Sequence, residues 1–427
     1  MDSIVVSVVI PVLNQFAMTR ECLRSLQKHA PEAPMEVVVV DNGSTDETVA
    51  GLEPLGRNLF GEAFTRIRFE RNRNFGPACN AGARAARGGF LFFLNNDTLL
   101  TPGWLPPLLA GIEGGDAAVG PLLLYPPTFG LLGDRVQHLG ICCQPSLHMR
   151  HLHEFFPGSH PLARKMRSLQ FITGAALLLH REVFEQAGMF HEAYVNGGED
   201  LDLCVQIQRR GGAVRCIPES CIHHYQSQTE GRFAGQHGNL QVFKERCQPF
   251  IAPDLHLQLA SDGYEMGLNA NLEPVARLPA RRRALLERAL FRDSPAPDAA
   301  ACQSLLEREP LFLPAYERLA DIYASTGQHA LLVQLRYLQS RLFPDRAAGV
   351  RLMEAARLAG DEAMEKAGRS LKNRMDQAEA DDGLCAQAEA TARFASELGQ
   401  PNLARTYAEW SRRRMAGSSG RLKGPAG

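Results

Sequence analysis

The chain has 427 residues, more than one ordinary hydrophobic core organises, so two or three domains are expected. Apolar residues make up 45% and charged residues 22%, the balance of a soluble globular protein. With 46 Lys and Arg against 47 Asp and Glu the formal charge is −1, which gives no electrostatic case for nucleic acid, and no apolar run approaches the roughly 20 residues of a transmembrane segment.

The first element is "IVVSVVIPV" (4–12), short, β-branched and without a basic flank, so it reads as a strand and not as a signal peptide. Phe16, Thr19, Leu23 and Leu26 then recur at helical spacing, with Asn14 available as the cap. "EVVVVD" (36–41) is the second strand and ends on Asp41. Behind it, Ser44-x-x-Glu47 has the form of a capping box. "ERNRNFGPACNAGARAARGG" follows, a polar loop entering a small-residue helix. Its N–H groups, with Arg71, Asn72, Arg73, Asn74 and Asn80, suit a diphosphate, although a loop and a surface helix need no ligand.

The third strand, "FLFFLNND" (90–97), leaves the core carrying Asn95, Asn96 and Asp97, a turn or else a metal and phosphate site. All three strands are apolar throughout, as strands covered on both faces are. The βαβ order predicts an α/β domain with a mostly parallel sheet and ligands at the carboxyl ends of its strands.

Farther on, "HLGICCQPSLHMRHLHEFF" gathers Cys142, Cys143, His148, His151 and His153. Adjacent cysteines lack the C-x₂-C spacing of a zinc ribbon, so a lid over an acceptor is the favoured reading and a metal site the other. "YVNGGEDLDLC" opens a helix with Glu199, Asp200 and Asp202, which the macrodipole favours and whose crowding would raise one pKa toward that of a general base. "IPESCIHHYQSQT" offers His223 and His224, either as surface residues or as partners of Asp97 on a divalent ion. The ten cysteines form no C-x-x-C pair, which fits a reducing cytoplasm, with peripheral association at the inner membrane left open.

After about residue 280 the texture becomes an Ala-, Leu- and Arg-rich all-α domain. Tyr316, Leu319, Ala320, Tyr323, Gly327 and Pro344 stand at tetratricopeptide spacing, and Pro310 and Pro344 lie one 34-residue period apart. The expected division is an α/β domain over 1–265, a linker over 266–280, a helical-repeat domain over 281–415 and a disordered tail over 416–427.

The ordered set "SVVIPVLNQ", "VVVVDNGSTDET", "NRNFGPACNAG", "FLNNDT", "FITGAALLLHREVFEQAGMF", "GGEDLDLC" and "IHHYQSQT" resembles the family-2 glycosyltransferases of the GT-A fold, in their rhamnosyltransferase-like branch. The resemblance covers roughly residues 5–230. It implies that Pro11, Val12 and Asn14 lie by the nucleotide, that Asp41 and Asn42 meet the base, and that Asn72 and Asn80 belong to the donor loop. It makes "NND" the DXD element, with Asp97 on Mn2+ or Mg2+, Asn95 in place of the first acid, and Asn96 near the donor. His224 matches the later metal-binding histidine better than His223. Glu199 and Asp200 match the catalytic pair, with Asp200 as base, and Gly174 of "FITGA" lies beneath the donor sugar.

Asn74, His191 and Gln206 depart from the family pattern, standing where a glycine, an acid and an arginine are usual. The implied activity is inverting, metal-dependent transfer of a hexosyl or deoxyhexosyl group from a nucleotide-diphosphate sugar. The acceptor hydroxyl belongs to a glycan, a lipid-linked glycan or a polypeptide, and a protein partner binds through the helical repeats. The alternative is a catalytically degenerate, transferase-like scaffold that acts through those repeats.

Overall fold

A computed structural model describes residues 5–225, 236–292 and 297–421. The chain begins as alternating strand and helix: β1 (Val6–Val12), α1 (Phe16–Lys28), β2 (Met35–Asp41), α2 (Thr48–Phe60) and β3 (Phe64–Arg68). Next come α3 (Phe75–Ala85), β4 (Phe90–Leu94), β5 (Thr98–Leu100), α4 (Leu105–Glu113) and β6 (Asp116–Leu124). Three short strands follow, β7 (Val136–His138), β8 (Ile141–Cys143) and β9 (Met149–His151), and then β10 (Ala176–His180) and α5 (Arg181–Gln186). The α/β part closes with α6 (Glu199–Gln208), β11 (Ala213–His224), α7 (Gln236–Cys247) and α8 (Leu255–Ser261).

Among the described residues, nine strands make one sheet in the order β3-β2-β1-β4-β10-β6-β11-β5, with β7 on β6. The β3-β2-β1-β4 half is parallel, as the βαβ order predicts, and β6 and β11 are parallel to each other. Antiparallel β10 is inserted between β4 and β6, and β5 and β7 are antiparallel as well, so the sheet is mixed.

The unbroken apolar strands are explained by two cores. Val8, Ile10, Val37, Val39 and Phe92 face one side, against Leu23, Leu52 and Trp104, while Val9, Val38 and Phe93 face the other. That second core runs on without a break into Phe312, Tyr316, Leu335 and Leu352 of the C-terminal helices.

Two local expectations are corrected. Asn14 does not cap α1: it sits at φ 56°, and its Oδ1 accepts the N–H groups of Thr45 (2.8 Å) and Asp46 (3.3 Å). Nor do Ser44 and Glu47 form a capping box, because Ser44 Oγ accepts Asn14 N–H and α2 begins with Thr48 N–H on Asp46 Oδ1. Both polar groups serve instead to tie the ends of β1 and β2 together.

The segment 266–280, read as a linker, holds most of a hairpin of β12 (Glu265–Leu268) and β13 (Pro274–Arg277). Helices α9 (Ala280–Arg292), α10 (Ala299–Arg308), α11 (Leu313–Ser325), α12 (His329–Leu342) and α13 (Arg346–Ala359) follow it. The series ends with α14 (Glu362–Ala380), α15 (Gly383–Glu397) and α16 (Pro401–Arg421). From α10 to α14 each helix packs on the next, and α15 packs on α16. Gly349 and Gly368 let α13 and α14 approach so closely that a Cβ on either would stand under 3.0 Å from the other's carbonyl oxygen. Of the expected tail, 422–427 lie outside the described residues, as do 226–229 of the "HHYQSQT" stretch. No helix among the described residues is long and apolar enough to cross a membrane.

Candidate active site

A cleft opens at the carboxyl ends of β1 and β4 and is bounded on its far side by the start of α6. Pro11, Val12, Asn42, Asn72, Asn95, Asn96, Asp97, Gly174, Glu199 and Asp200 all line it. Thus ten of the fourteen residues to which the resemblance gives a role face one space. The other four are Asn14, Asp41, Asn80 and His224.

His224 lies directly behind Asp97. The antiparallel register pairs His224 with Thr98 and Ile222 with Leu100, so the two chains bring residues 224 and 97 together at the strand end. Tyr225 N–H donates to the Asp97 carbonyl at 2.9 Å and fastens that end. His224 Nε2 stands 3.0 Å from Asp97 Oδ1, and both side chains are nearly buried. Strand alternation sends His223 to the opposite face, where it meets Asp134 at 2.8 Å. Of the two histidines, only His224 is in contact with Asp97.

Gln137 of β7 decides which ring nitrogen His224 offers. Its Nε2 donates to the His224 carbonyl at 2.8 Å, so its Oε1, 2.5 Å from Nδ1, must accept. Nδ1 therefore carries a proton, and Nε2 meets the carboxylate either through a second proton or through a shared cation. Two ligands at about 2.1 Å and at right angles on an octahedral ion stand about 3.0 Å apart, so the pair fits Mg2+ or Mn2+. Carboxylate oxygen and imidazole nitrogen are also the donors such ions accept. Among the described residues no group of three or more His, Cys, Asp or Glu side chains is arranged to hold a metal. A divalent cation held here would have Asp97 and His224 as its protein ligands.

The acid pair is set by an unusual turn. Asn196, Gly197 and Gly198 have φ of 49°, 149° and 101°, and a Cβ on Gly198 would fall 2.9 Å from the Tyr194 ring. Asn239 of α7 holds this turn through Val195 N–H, Val195 O and Gly197 O. Asn196 Oδ1 accepts Phe75 N–H at 3.0 Å, which joins the acid turn to the donor-side loop. Asp200 accepts Gly174 N–H on Oδ2 (2.8 Å) and Leu201 N–H on Oδ1 (2.9 Å). Glu199 accepts Gly197 N–H at 2.8 Å. The expected crowding of three acids is relieved, because Asp202 turns into the core and pairs with Arg246 and Gln206.

Two residues expected at the donor, Asp41 and Asn80, do not line the cleft and are held by protein partners. Asp41 is fully buried: Oδ1 accepts Ser44 N–H at 2.9 Å, and Oδ2 binds Arg66 at 2.6 Å with Arg68 at 3.6 Å. Asn80, also buried, bonds both backbone groups of Phe190 and Glu192 Oε1. Asn42, by contrast, lines the cleft and spans Asn72 Oδ1, Asn74 O and Arg73 N–H, so it shapes the donor-side loop.

The His/Cys stretch forms the β8–β9 hairpin. Cys142 and Cys143 are buried, and burial pushes the Cys143 thiol up to about 12, which disfavours the thiolate that zinc requires. His153 is drawn off to Asp262 at 2.6 Å. The stretch still reaches the site, for Ile141 and His151 line the cleft. Sequence reasoning missed Gln137, Asn196 and Asn239, and no local pattern marks them.

Residues 7–188 match the family model described as Glycosyl transferase family 2. The O-antigen biosynthesis protein RfbC of Myxococcus xanthus is 27% identical over 256 residues, covering 58% of this chain and 19% of RfbC. The N-acetylglucosaminyl-diphospho-decaprenol L-rhamnosyltransferase of Mycobacterium tuberculosis is 26% identical over 228 residues, covering 49% of this chain and 72% of the relative. Among solved structures, GalNAc-T7 with UDP, GalNAc and Mn2+ aligns at a TM-score of 0.48 and 18% identity, covering 58% of this chain and 48% of that one. The chain spans less than half the length of the first curated relatives it matches. Over residues 7–188 the N-terminal part of the chain is thus similar to the glycosyltransferase family 2 domain.

Proposed function

We propose that the chain is an inverting, divalent-cation-dependent glycosyltransferase. It moves a hexosyl or deoxyhexosyl group from a nucleotide-diphosphate donor to an acceptor hydroxyl. The observation that carries this reading is the buried Asp97–His224 contact at one end of a cleft whose other wall bears Asp200. Bound by those two residues, Mn2+ or Mg2+ supplies the positive charge that offsets what develops on a departing diphosphate. Asn95 and Asn96 lie beside them, and Asn96 is braced on Thr19 Oγ1 at 2.9 Å.

Asp200 is the proton acceptor for the attacking hydroxyl, and Glu199 orients the acceptor beside it. The departing diphosphate needs no protonating acid, so one base suffices. Attack from the face opposite the diphosphate inverts the anomeric centre, by the geometry of single-step inverting hydrolases. The acceptor is a glycan, a lipid-linked glycan or a polypeptide. The name of the mycobacterial relative supports the lipid-linked class.

A thermal-shift screen of UDP-, GDP- and dTDP-sugars with and without Mn2+ tests the reading. A shift that needs both nucleotide sugar and metal is expected, together with slow donor hydrolysis. A wild type that responds to none of them favours the scaffold reading.

A further inference from the structure

The helical domain reaches the cation-binding end of the cleft through the connection between β6 and β7. That connection turns tightly over Pro127–Leu132, and α12 packs directly on it. Gln334 of α12 accepts Leu131 N–H on Oε1 at 2.9 Å, a contact across 203 residues of chain. Gly130 makes this approach possible: it sits at φ 60°, and a Cβ there would stand 2.2 Å from Gln334 Oε1. The helix itself is fixed, with Leu332, Val333, Leu335 and Leu338 buried in the core it shares with the α/β part.

The same connection braces three consecutive residues at and just beyond the end of β11. Phe129 meets the Tyr225 ring edge-on at 5.8 Å, and Tyr225 N–H is the donor that fastens the Asp97 carbonyl. Asp134 holds His223 at 2.8 Å. Past Asp134 the chain enters β7, whose Gln137 orients His224. We infer that Gln334 is a positioning residue for the divalent cation, acting from the helical domain through Leu131 and Phe129 on Tyr225 and the Asp97–His224 pair. Small divalent ions demand near-ideal ligand positions, so a support that fixes this strand end sets how tightly the ion is held. Loss of the hydrogen bond loosens the connection and weakens the cation, while the walls built by β1, α3 and α6 stay as they are. This inference rests on the transferase reading above.

The test compares wild type, Gln334→Leu, Gln334→Glu, Phe129→Ala and the double variant of Phe129→Ala with Gln334→Leu, each checked for a cooperative melting profile. Calorimetry with UDP, GDP and dTDP over a series of Mn2+ concentrations gives the Mn2+ at which nucleotide affinity is half-maximal. Gln334→Leu is expected to raise that concentration about three- to tenfold, with the wild-type affinity regained at saturating Mn2+. Gln334→Glu keeps an acceptor for Leu131 N–H and should stay near the wild type. Because the two residues act in series, the double variant should match Phe129→Ala alone.

An unchanged Mn2+ requirement in Gln334→Leu overturns the inference alone, as does a loss of affinity that saturating Mn2+ fails to repair. A Gln334→Glu no better than Gln334→Leu, or additive losses in the double variant, also overturn it. Should Phe129→Ala misfold, the two Gln334 variants still decide the matter. A wild type that binds nucleotide without any need for Mn2+ overturns the cation reading and this inference together. One that binds none of the three nucleotides overturns the transferase reading as well.

Discussion

Gly174 N–H and Asp200 Oδ2 are joined by a 2.8 Å hydrogen bond, so the carboxylate at the start of α6 is held by a backbone group 26 residues earlier. The contact leaves little room for a side chain at residue 174, where a Cβ would stand 3.1 Å from that of Asp200. Asp200→Asn keeps an oxygen that accepts this bond and removes the proton acceptor. The expected outcome is a fall in kcat of about 10²–10⁴-fold with nucleotide affinity unchanged, measured by transfer kinetics and calorimetry.

Gln137 touches the candidate metal pair only through His224, yet it determines which nitrogen faces Asp97. Gln137→Leu frees the imidazole to rotate or change tautomer. Mn2+ affinity in the presence of nucleoside diphosphate should fall about 10–100-fold, with activity largely restored at saturating metal. A loss that saturating metal does not repair would point to a different role.

Asp41 gives a way to separate support from recognition. If it serves as the buried counter-charge to Arg66, Asp41→Ala costs about 3 kcal/mol in chemical denaturation and leaves nucleotide affinity of the folded fraction unchanged. A selective loss of nucleotide affinity with unchanged stability would restore the base-contacting role that the resemblance implies.

The Asp262 side chain is buried among His153, Lys165 and Arg167, at 2.6, 2.5 and 2.8 Å. Burial by itself would raise its pKa, but the hydrogen bonds from His153 and Lys165 and the charges of His153 and Arg167 outweigh it and hold the carboxyl well below the usual range. A folded pKa below the unfolded value of about 4 gives stability that is fully present above that pH and is lost as pH falls toward the folded value. Asp262→Asn should lower Tm at neutral pH and flatten the decline of Tm below about pH 4. Parallel acid limbs for wild type and variant would contradict this.

Much of this architecture could be read from the chain. Strands apolar on both faces and acids just past their ends identified the layered sheet and its functional rim, because burial and exposure leave opposite marks on composition. His224 was separable from His223 only by resemblance, and strand register supplies the physical reason. What stayed hidden was of two kinds. Asp41 and Asn80 look like ligand groups because polar residues at strand ends and helix starts serve ligands and structure alike, and only burial tells the two apart. Gln137 and Asn239 sit on elements whose sequences resemble any surface segment, and their roles arise from contacts across 87 and 44 residues of chain. Asn14 was misread for a related reason: its partners, Thr45 and Asp46, lie on the neighbouring strand's loop and not in the helix that follows it.

The central claim, that one cation is shared by the carboxylate of residue 97 and the imidazole of residue 224, is open to direct spectroscopy. Electron spin-echo envelope modulation of Mn2+ bound with UDP or GDP detects a coordinated imidazole nitrogen. Nitrogen modulation in the wild type that disappears in His224→Gln is the predicted result. A wild type that binds Mn2+ and nucleotide with no nitrogen modulation would contradict it.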